Sequence, residues 1–204
     1  MSFKKISLTD LRKNFGVPNK VVSLFEGVEI QPIEPSIQLQ SQLANAAGLP
    51  LKSEKARSEF FVAPVLLELR NITDQFFTIY SGEMLEADAE KGLTGECDFI
   101  LAKSDQSYDI HLPIISVVEA KRENLDMGVQ QCAAQLYGAY VFNKKSGIEL
   151  DTIYGCVTTA DNWQFMALKN GVIEIDKRIY FKVELNLILG IFNHIIEYYQ
   201  KRLS

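Results

Sequence analysis

An apolar run that ends in two charged residues sets the architecture of this chain: Pro113-Ile114-Ile115-Ser116-Val117-Val118-Glu119-Ala120-Lys121. Its β-branched residues predict a strand over residues 113–121. A second run, Gly95-Glu96-Cys97-Asp98-Phe99-Ile100-Leu101, predicts a strand over 96–102. The polar residues 103–109 predict the loop that joins the two strands.

Hydrophobic periodicity predicts the elements on either side of these strands. Apolar residues that recur at three- and four-residue intervals favour helices, whereas β-branched and aromatic runs favour strands. The predicted helices cover residues 53–70, with a kink at Pro64, 125–142 and 185–201, and the further strands cover 75–80, 153–159 and 163–168. This order predicts an α/β fold in which a mixed central sheet is flanked by helices.

The N-terminal region differs in character from the rest of the chain. Prolines at positions 32, 35 and 50 and the Gln-rich run 38–42 favour a loop and a short helix. The sequence therefore predicts an N-terminal extension and linker over 1–50 and an α/β domain over 51–204, which includes the C-terminal helix. Within the extension, Thr9-Asp10-Leu11-Arg12-Lys13-Asn14-Phe15 predicts a short helix that ends at Gly16.

The composition is typical of a soluble globular protein. Hydrophobic residues make up 47% and charged residues 23% of the 204 residues, close to the averages for that class. The longest apolar segment, around 185–196, is shorter than the roughly 20 residues that span a membrane, and the N-terminus lacks the apolar core of a signal peptide. We therefore expect a cytoplasmic protein with no membrane partner.

Cysteine spacing disfavours both a disulfide framework and a structural zinc site. The three cysteines lie far apart in the sequence, at positions 97, 132 and 156. We expect Cys97 and Cys132 to be packed, unreactive thiols. Trp163 is predicted to lie in the core or on the sheet surface rather than to stack on a nucleic-acid base.

The net charge of −5 disfavours a protein whose whole surface binds nucleic acid. A local nucleic-acid site remains compatible with this charge, because a cation held by carboxylates reverses the field that a phosphate meets. Lys103, Lys121 and Arg122 are a candidate phosphate-facing patch, with plain solvated surface as the alternative.

Two carboxylates and one amine form the candidate chemical site. Side chains alternate along a strand, so Glu119 and Lys121 emerge on one face, and pairing of the two strands would set Asp98 beside Glu119. Burial of such charged groups in an apolar strand costs free energy unless they contact a partner of opposite charge or an ion. Carboxylate oxygens favour Mg²⁺ or Mn²⁺, so Asp98 and Glu119 are the predicted metal ligands, and Lys121 would act on an attacking water. The alternative is a purely structural Glu119–Lys121 pair.

The pattern Asp98 … Glu119-Ala120-Lys121 resembles the motif of the PD-(D/E)XK nuclease superfamily, which includes restriction-endonuclease-like enzymes. The resemblance runs from about Glu54 to Leu168, and the chain is also similar to uncharacterised bacterial proteins assigned to this superfamily. It implies a restriction-endonuclease-like αβββαβ core and a magnesium-dependent, endonuclease-like phosphodiester hydrolase that acts on DNA rather than RNA. Cys97 stands where the family usually has a proline.

The resemblance implies further site residues. The helix before the first strand supplies an early glutamate in family members, which points to Glu59, with Glu68 as the other candidate. The helix after the lysine supplies a polar residue that faces the site, which matches Gln131 best and Gln135 next. Glu59 would support the ion through water, and Gln131 would orient a ligand or the substrate. The QxxxY pattern of exonuclease-like members is not matched in spacing, which disfavours that subtype.

Two other functions stay open beside the DNA hydrolase. The first is a nuclease-fold protein without turnover that binds nucleic acid or a protein partner, and the second is a hydrolase of another phosphate ester or a nucleotide. The apolar stripe of the C-terminal helix predicts burial in the core, with a homodimer interface as the alternative.

Overall fold

The structure, a computed structural model, describes residues 2–103, 110, 112–121 and 125–203. Helices α1 to α6 cover Leu8–Phe15, Ile37–Ala46, Glu54–Arg57, Ala63–Ile72, Leu125–Lys145 and Leu185–Leu203. Strands β1 to β8 cover Asn19–Val22, Phe77–Asp88, Leu93–Lys103, Ile114–Ala120, Thr152–Thr158, Asn162–Lys169, Val172–Asp176 and Tyr180–Phe181. A π-helical turn, Ser58–Val62, joins α3 to α4, and short 3-10 turns cover Phe3–Lys5 and Lys182–Glu184.

The eight strands found in the described residues form one mixed sheet. Its order is β1-β7-β6-β5-β4-β3-β2, and β8 pairs with the start of β6. Two neighbouring pairs, β4 with β5 and β1 with β7, run parallel, and the others are antiparallel. The prediction of an α/β fold with a mixed central sheet is confirmed.

Helices cover both faces of this sheet. On one face α5 approaches so closely that a Cβ at Gly155 of β5 would lie 2.9 Å from Cys132 Sγ. On the other face α6 packs against the sheet through Phe192. The centroid of its ring lies 5.0 Å from that of Phe165 and 5.9 Å from that of Trp163. Apolar residues of α6 are buried there, so the predicted burial of its stripe is confirmed. The homodimer interface stays a prediction.

Strand β4 is the buried centre of the sheet. All seven of its residues are buried: it has a strand on each side, and α5 packs against it. A strand covered on both faces needs a continuous apolar sequence, which explains the run of isoleucine and valine. The C-terminal end of β4 therefore carries Glu119 into the interior.

Residues 2–50, the predicted extension, pack against the rest of the molecule. Phe3 is buried against Gly138 of α5, and β1 joins the sheet as the parallel partner of β7. The predicted short helix is confirmed as α1: Ser7 caps its N-terminus, and Gly16 ends it with a φ of 69°. Part of the sheet thus lies on the N-terminal side of the predicted boundary at residue 50.

The helix predicted over 53–70 contains an irregularity just before Pro64. The backbone N–H of Ala63 donates to the carbonyl of Ser58, five residues earlier, which is the hydrogen bond of a π-helix. Pro64 itself lies in the first turn of α4, where its missing N–H breaks no bond of that helix. Glu54 precedes this wide turn, and Glu59 lies within it.

Strand boundaries differ from the predictions where the backbone turns. Asp74 and Gln75 adopt positive φ angles of 51° and 58°, so β2 begins at Phe77 rather than at Gln75. The predicted strands 153–159 and 163–168 correspond closely to β5 and β6. Among the helices of the described residues, we find none long and apolar enough to cross a membrane.

Candidate metal centre

Two adjacent strands bring the predicted carboxylates together. Antiparallel pairing of Phe99 with Val118 sets Asp98, the preceding residue of β3, next to Glu119 of β4. Asp98 is held there because its Oδ2 accepts a 2.8 Å hydrogen bond from the backbone N–H of Ala120. The local cause is the strand register, which places the two acidic side chains side by side at the C-terminal end of β4.

A third carboxylate completes the cluster. Glu54, at the start of α3, has a carboxylate oxygen near those of Asp98 and Glu119, and the three oxygens all lie within 4.8 Å of one another. A cation with ligand distances of about 2.1 Å bridges oxygens that are up to roughly 4.2 Å apart, so a small inward movement of the side chains closes the set. We call Glu54, Asp98 and Glu119 the carboxylate cluster.

Lys121 lies against the carboxylate cluster. Its Nζ is 2.5 Å from Glu119 Oε1 and 3.4 Å from Glu54 Oε1, and 14% of its side chain is exposed. Its backbone N–H donates a 2.7 Å hydrogen bond to the carbonyl of Thr158, which extends the pairing of β4 and β5 by one residue. Glu119 and Lys121 therefore emerge on the same face, as the alternation of side chains predicted.

The start of α5 passes very close to this end of the sheet. A Cβ at Gly128 would lie 2.4 Å from Val157 Cγ1 and 2.9 Å from Lys121 Cγ. Only glycine fits without displacing one of these neighbours. This close approach lets α5 present polar side chains directly to Glu119.

Gln135 is the residue of α5 that hydrogen-bonds Glu119. Its Nε2 donates to Glu119 Oε2 at 2.7 Å, and the whole residue is buried. Its Oε1 is also buried and has no hydrogen-bond partner in the part of the chain that the structure describes. A buried amide oxygen without a partner is costly. It is therefore available to a water or another donor at the site.

Burial dominates the electrostatics of the carboxylate cluster. It raises the pKa of Glu119 from its ordinary value of 4.5 to about 7; the charge of Asp98 adds to the rise, and the contacts with Lys121 and Gln135 oppose it. Burial also raises the pKa of Asp98, against the hydrogen bond from Ala120. Burial alone would lower the pKa of Lys121, but the surrounding carboxylates outweigh it and raise that pKa.

The two glutamates favoured by the resemblance lie away from the cluster. Glu59 has a side chain that is 54% exposed, and its carboxylate lies 3.7 Å from the ammonium of Lys55. Glu68 accepts hydrogen bonds from the backbone and the hydroxyl of Ser36. Glu54, which lies five positions earlier and before the π-helical turn, takes the place in the carboxylate cluster that was expected of Glu59.

Gln131 is buried one helical turn before Gln135, but the hydrogen bond to Glu119 comes from Gln135. Both glutamines share a face of α5 because they are four residues apart. Sequence spacing could not tell which turn of the helix lies level with Glu119.

Two members of the predicted basic patch, Lys103 and Lys121, lie apart. Lys103 ends β3 beside Pro113, and its ammonium donates to the carbonyl of Leu203. It therefore lies at the opposite end of β4 from Lys121, about 26 Å away for the eight residues from Pro113 to Lys121 at 3.3 Å per residue. The third member, Arg122, lies outside the described residues.

The other expectations for unreactive residues are met. Cys97 and Cys132 are fully buried, and burial raises the pKa of both thiols above the ordinary value. Trp163 is fully buried in the core, where its Nε1 donates to the carbonyl of Ala160. All three side chains are closed off from solvent, so none of them is available to a substrate at the surface.

Comparisons with protein families, with curated proteins and with solved structures find no match to this chain. The interpretation of the site therefore depends on its own chemistry. Three oxygen donors without a sulfur or imidazole ligand suit a hard cation such as Mg²⁺ or Mn²⁺. The buried amide oxygen of Gln135 adds a polar acceptor at the same place.

Proposed function

We propose that this chain is a metal-dependent phosphodiester hydrolase that acts on DNA. The observation that carries the proposal is the meeting of three carboxylates and one lysine at the C-terminal end of β4. The arrangement of Asp98, Glu119 and Lys121 on these strands supports the PD-(D/E)XK resemblance and a restriction-endonuclease-like core. The cation would be Mg²⁺ or Mn²⁺.

Each residue of the site has a separate role in this proposal. Asp98 and Glu119 would hold the cation, and Glu54 would complete its protein ligands from the helical side. A bound divalent cation supplies a Lewis acid that offsets charge on a phosphate and lowers the pKa of a bound water. The hydrogen bond from Gln135 holds the Glu119 carboxylate in one orientation, so that its other oxygen faces the cluster.

Lys121 is the catalytic group in this proposal. Its ammonium is almost enclosed and is held by Glu119 on one side and by Glu54 on the other. Placed there, it would orient the attacking water and stabilise negative charge that develops on the phosphate. Without a cation, the neighbouring carboxylates raise the pKa of Lys121, so its amine is protonated at neutral pH. In this state it would act as a hydrogen-bond donor rather than as a base.

The direct test is cleavage of supercoiled plasmid and of labelled single-stranded and duplex oligonucleotides with Mg²⁺ or Mn²⁺. We expect metal-dependent products from the wild type, at least a hundred-fold less from Lys121→Ala, and unchanged cleavage from Lys55→Ala, an exposed lysine that serves as the matched control. Cleavage that persists in Lys121→Ala would contradict the proposal. DNA binding without cleavage would instead support the nuclease-fold module.

A further inference from the structure

The helical turn that carries Glu54 is the first turn of a longer helix. Helix α3 spans only Glu54–Arg57, and Ser53 caps its N-terminus by accepting a 3.0 Å hydrogen bond from the N–H of Ala56. The Glu54 side chain is 42% exposed, and its contact with Lys121 is long at 3.4 Å. The turn continues directly into the π-helical turn, because the N–H of Ser58 donates to the carbonyls of Glu54 and Lys55. As the first turn of a longer helix it can fray, so a contact with the sheet is needed to fix the position of the Glu54 carboxylate.

Arg57 supplies that contact by joining α3 to the sheet. Its Nη1 donates to the carbonyl of Thr159 at 2.5 Å and to Asp161 Oδ2 at 2.8 Å. Only 21% of the Arg57 side chain is exposed, and its Nε is buried with no hydrogen-bond partner among the described residues. Charge-assisted hydrogen bonds from a partly buried guanidinium are stronger than neutral ones. The pair of acceptors therefore anchors α3 firmly.

The turn that receives Arg57, between β5 and β6, is rigid. Thr158 Oγ1 accepts a 2.9 Å hydrogen bond from the N–H of Ala160 and donates one of 3.0 Å to the carbonyl of Asn162. The same turn holds Lys121, whose backbone N–H donates to the carbonyl of Thr158 at 2.7 Å. One fixed turn thus sets the position of Lys121 from the strand side and that of α3 from the helix side.

We propose that Arg57 is a positioning residue, which keeps the Glu54 carboxylate within reach of Asp98 and Glu119 by clamping α3 to the β5–β6 turn. This role rests on the proposed metal centre. Arg57 and Glu54 are three residues apart and share a helix face, so a shift of the guanidinium moves the carboxylate with it. The acceptors of Arg57 are Thr159 and Asp161, so its effect on the cation passes through Glu54.

The first test measures Mn²⁺ affinity by calorimetry on the full chain. We expect Arg57→Ala to weaken binding by about ten- to a hundred-fold, the usual loss when support of a metal ligand is removed. Arg57→Lys should recover part of the affinity, because an ammonium can still reach the Thr159 carbonyl. Lys55→Ala, in the same turn but exposed and paired with Glu59, should bind as the wild type does.

A double variant separates positioning from general loss of structure. If Arg57 acts only through Glu54, the variant Arg57→Ala/Glu54→Gln binds Mn²⁺ no more weakly than Glu54→Gln alone. Wild-type affinity in Arg57→Ala would overturn the proposal. A further loss in the double variant, beyond that of Glu54→Gln, would overturn it too.

Hydrogen exchange gives a readout that does not depend on metal. We expect backbone amides of residues 54–62 to exchange at least ten-fold faster in Arg57→Ala than in the wild type, with no change in Lys55→Ala. Unchanged exchange in Arg57→Ala would overturn the clamp. A wild-type chain that binds no Mn²⁺ would overturn the metal centre instead, and the exchange rates would still decide whether Arg57 holds α3.

Discussion

Gln135 donates a 2.7 Å hydrogen bond to Glu119 Oε2, and both side chains are fully buried. The other oxygen of Glu119 contacts Lys121. Glu119 is thus fixed at both oxygens by partners from a helix and from its own strand. A buried carboxylate with a defined orientation is what a metal ligand requires.

Removal of the Gln135 amide should destabilise the protein and weaken metal binding. We expect Gln135→Ala to cost about 1–3 kcal/mol in the free energy of unfolding, because it leaves a buried carboxylate oxygen without its donor. Urea unfolding measures this cost. Gln131→Ala, a change on the same face of α5, is the matched control for metal binding: equal loss of Mn²⁺ affinity in the two variants would contradict the role of Gln135.

Two substitutions of Asp98 should separate its contribution to metal binding from its contribution to stability. Asp98→Asn keeps an acceptor for the Ala120 N–H but removes the charge, so we expect near-normal stability and at least a ten-fold loss of Mn²⁺ affinity. Asp98→Ala also removes the acceptor and should cost about 1 kcal/mol more in unfolding free energy. Calorimetry and urea unfolding of both variants check this. Full Mn²⁺ affinity in Asp98→Asn would refute its place among the ligands.

Metal affinity should depend on pH through Glu119. Because its pKa is raised to about 7, the folded protein holds a proton there that a cation must displace. We expect Mn²⁺ affinity to rise by roughly ten-fold per pH unit below 7 and to level off above it. Titrations between pH 5.5 and 8.5 measure this, and a flat profile would argue against Glu119 as a ligand.

Without added metal, Glu119 should make the free energy of unfolding fall as pH rises, whereas the metal affinity rises with pH. The folded-state pKa of Glu119 lies above the unfolded value of 4.5, so the folded state binds more protons between about pH 4.5 and 7. The stabilisation is fully present below pH 4.5 and is lost as pH rises through 7. The side chain in Glu119→Gln cannot titrate, so its free energy of unfolding, measured in urea, should lack this decrease between pH 4.5 and 7. An unchanged decrease in the variant would show that another group causes it.

Added metal should raise the melting temperature. A ligand that binds only the folded state at a hundred times its dissociation constant stabilises it by about 2.7 kcal/mol, or roughly 5–10 °C for a chain of this length. Thermal unfolding with Mg²⁺ or Mn²⁺ checks this. Glu119→Gln should show a much smaller rise, and equal rises in both proteins would indicate binding elsewhere.

Alternation along two strands was enough to predict how Asp98, Glu119 and Lys121 meet. A strand fixes which face each side chain takes, and neighbouring strands in an antiparallel pair bring short sequence segments side by side. These contacts depend on local geometry and one pairing. They could therefore be predicted from the sequence.

Helical contributions to the site could not be predicted to the residue. The resemblance implies an early glutamate in this helix without fixing its position, so it points to Glu59 and misses Glu54. The π-helical turn at Ser58–Val62 changes the helical period, and the apolar spacing of the sequence does not reveal it. On α5, Gln131 and Gln135 share one face, so the position of the helix along the strand decides which of them reaches Glu119. Contacts such as that of Gly128 with Val157 set this position, and the apolar spacing of the sequence does not reveal them.

The most direct measurement is a calorimetric titration of the wild type and Glu119→Gln with Mn²⁺ at pH 8, where Glu119 is ionised. The account predicts saturable binding to the wild type and at least a hundred-fold weaker binding to the variant, with both proteins folded by circular dichroism. Identical titrations of the two folded proteins would contradict a metal centre at the end of β4.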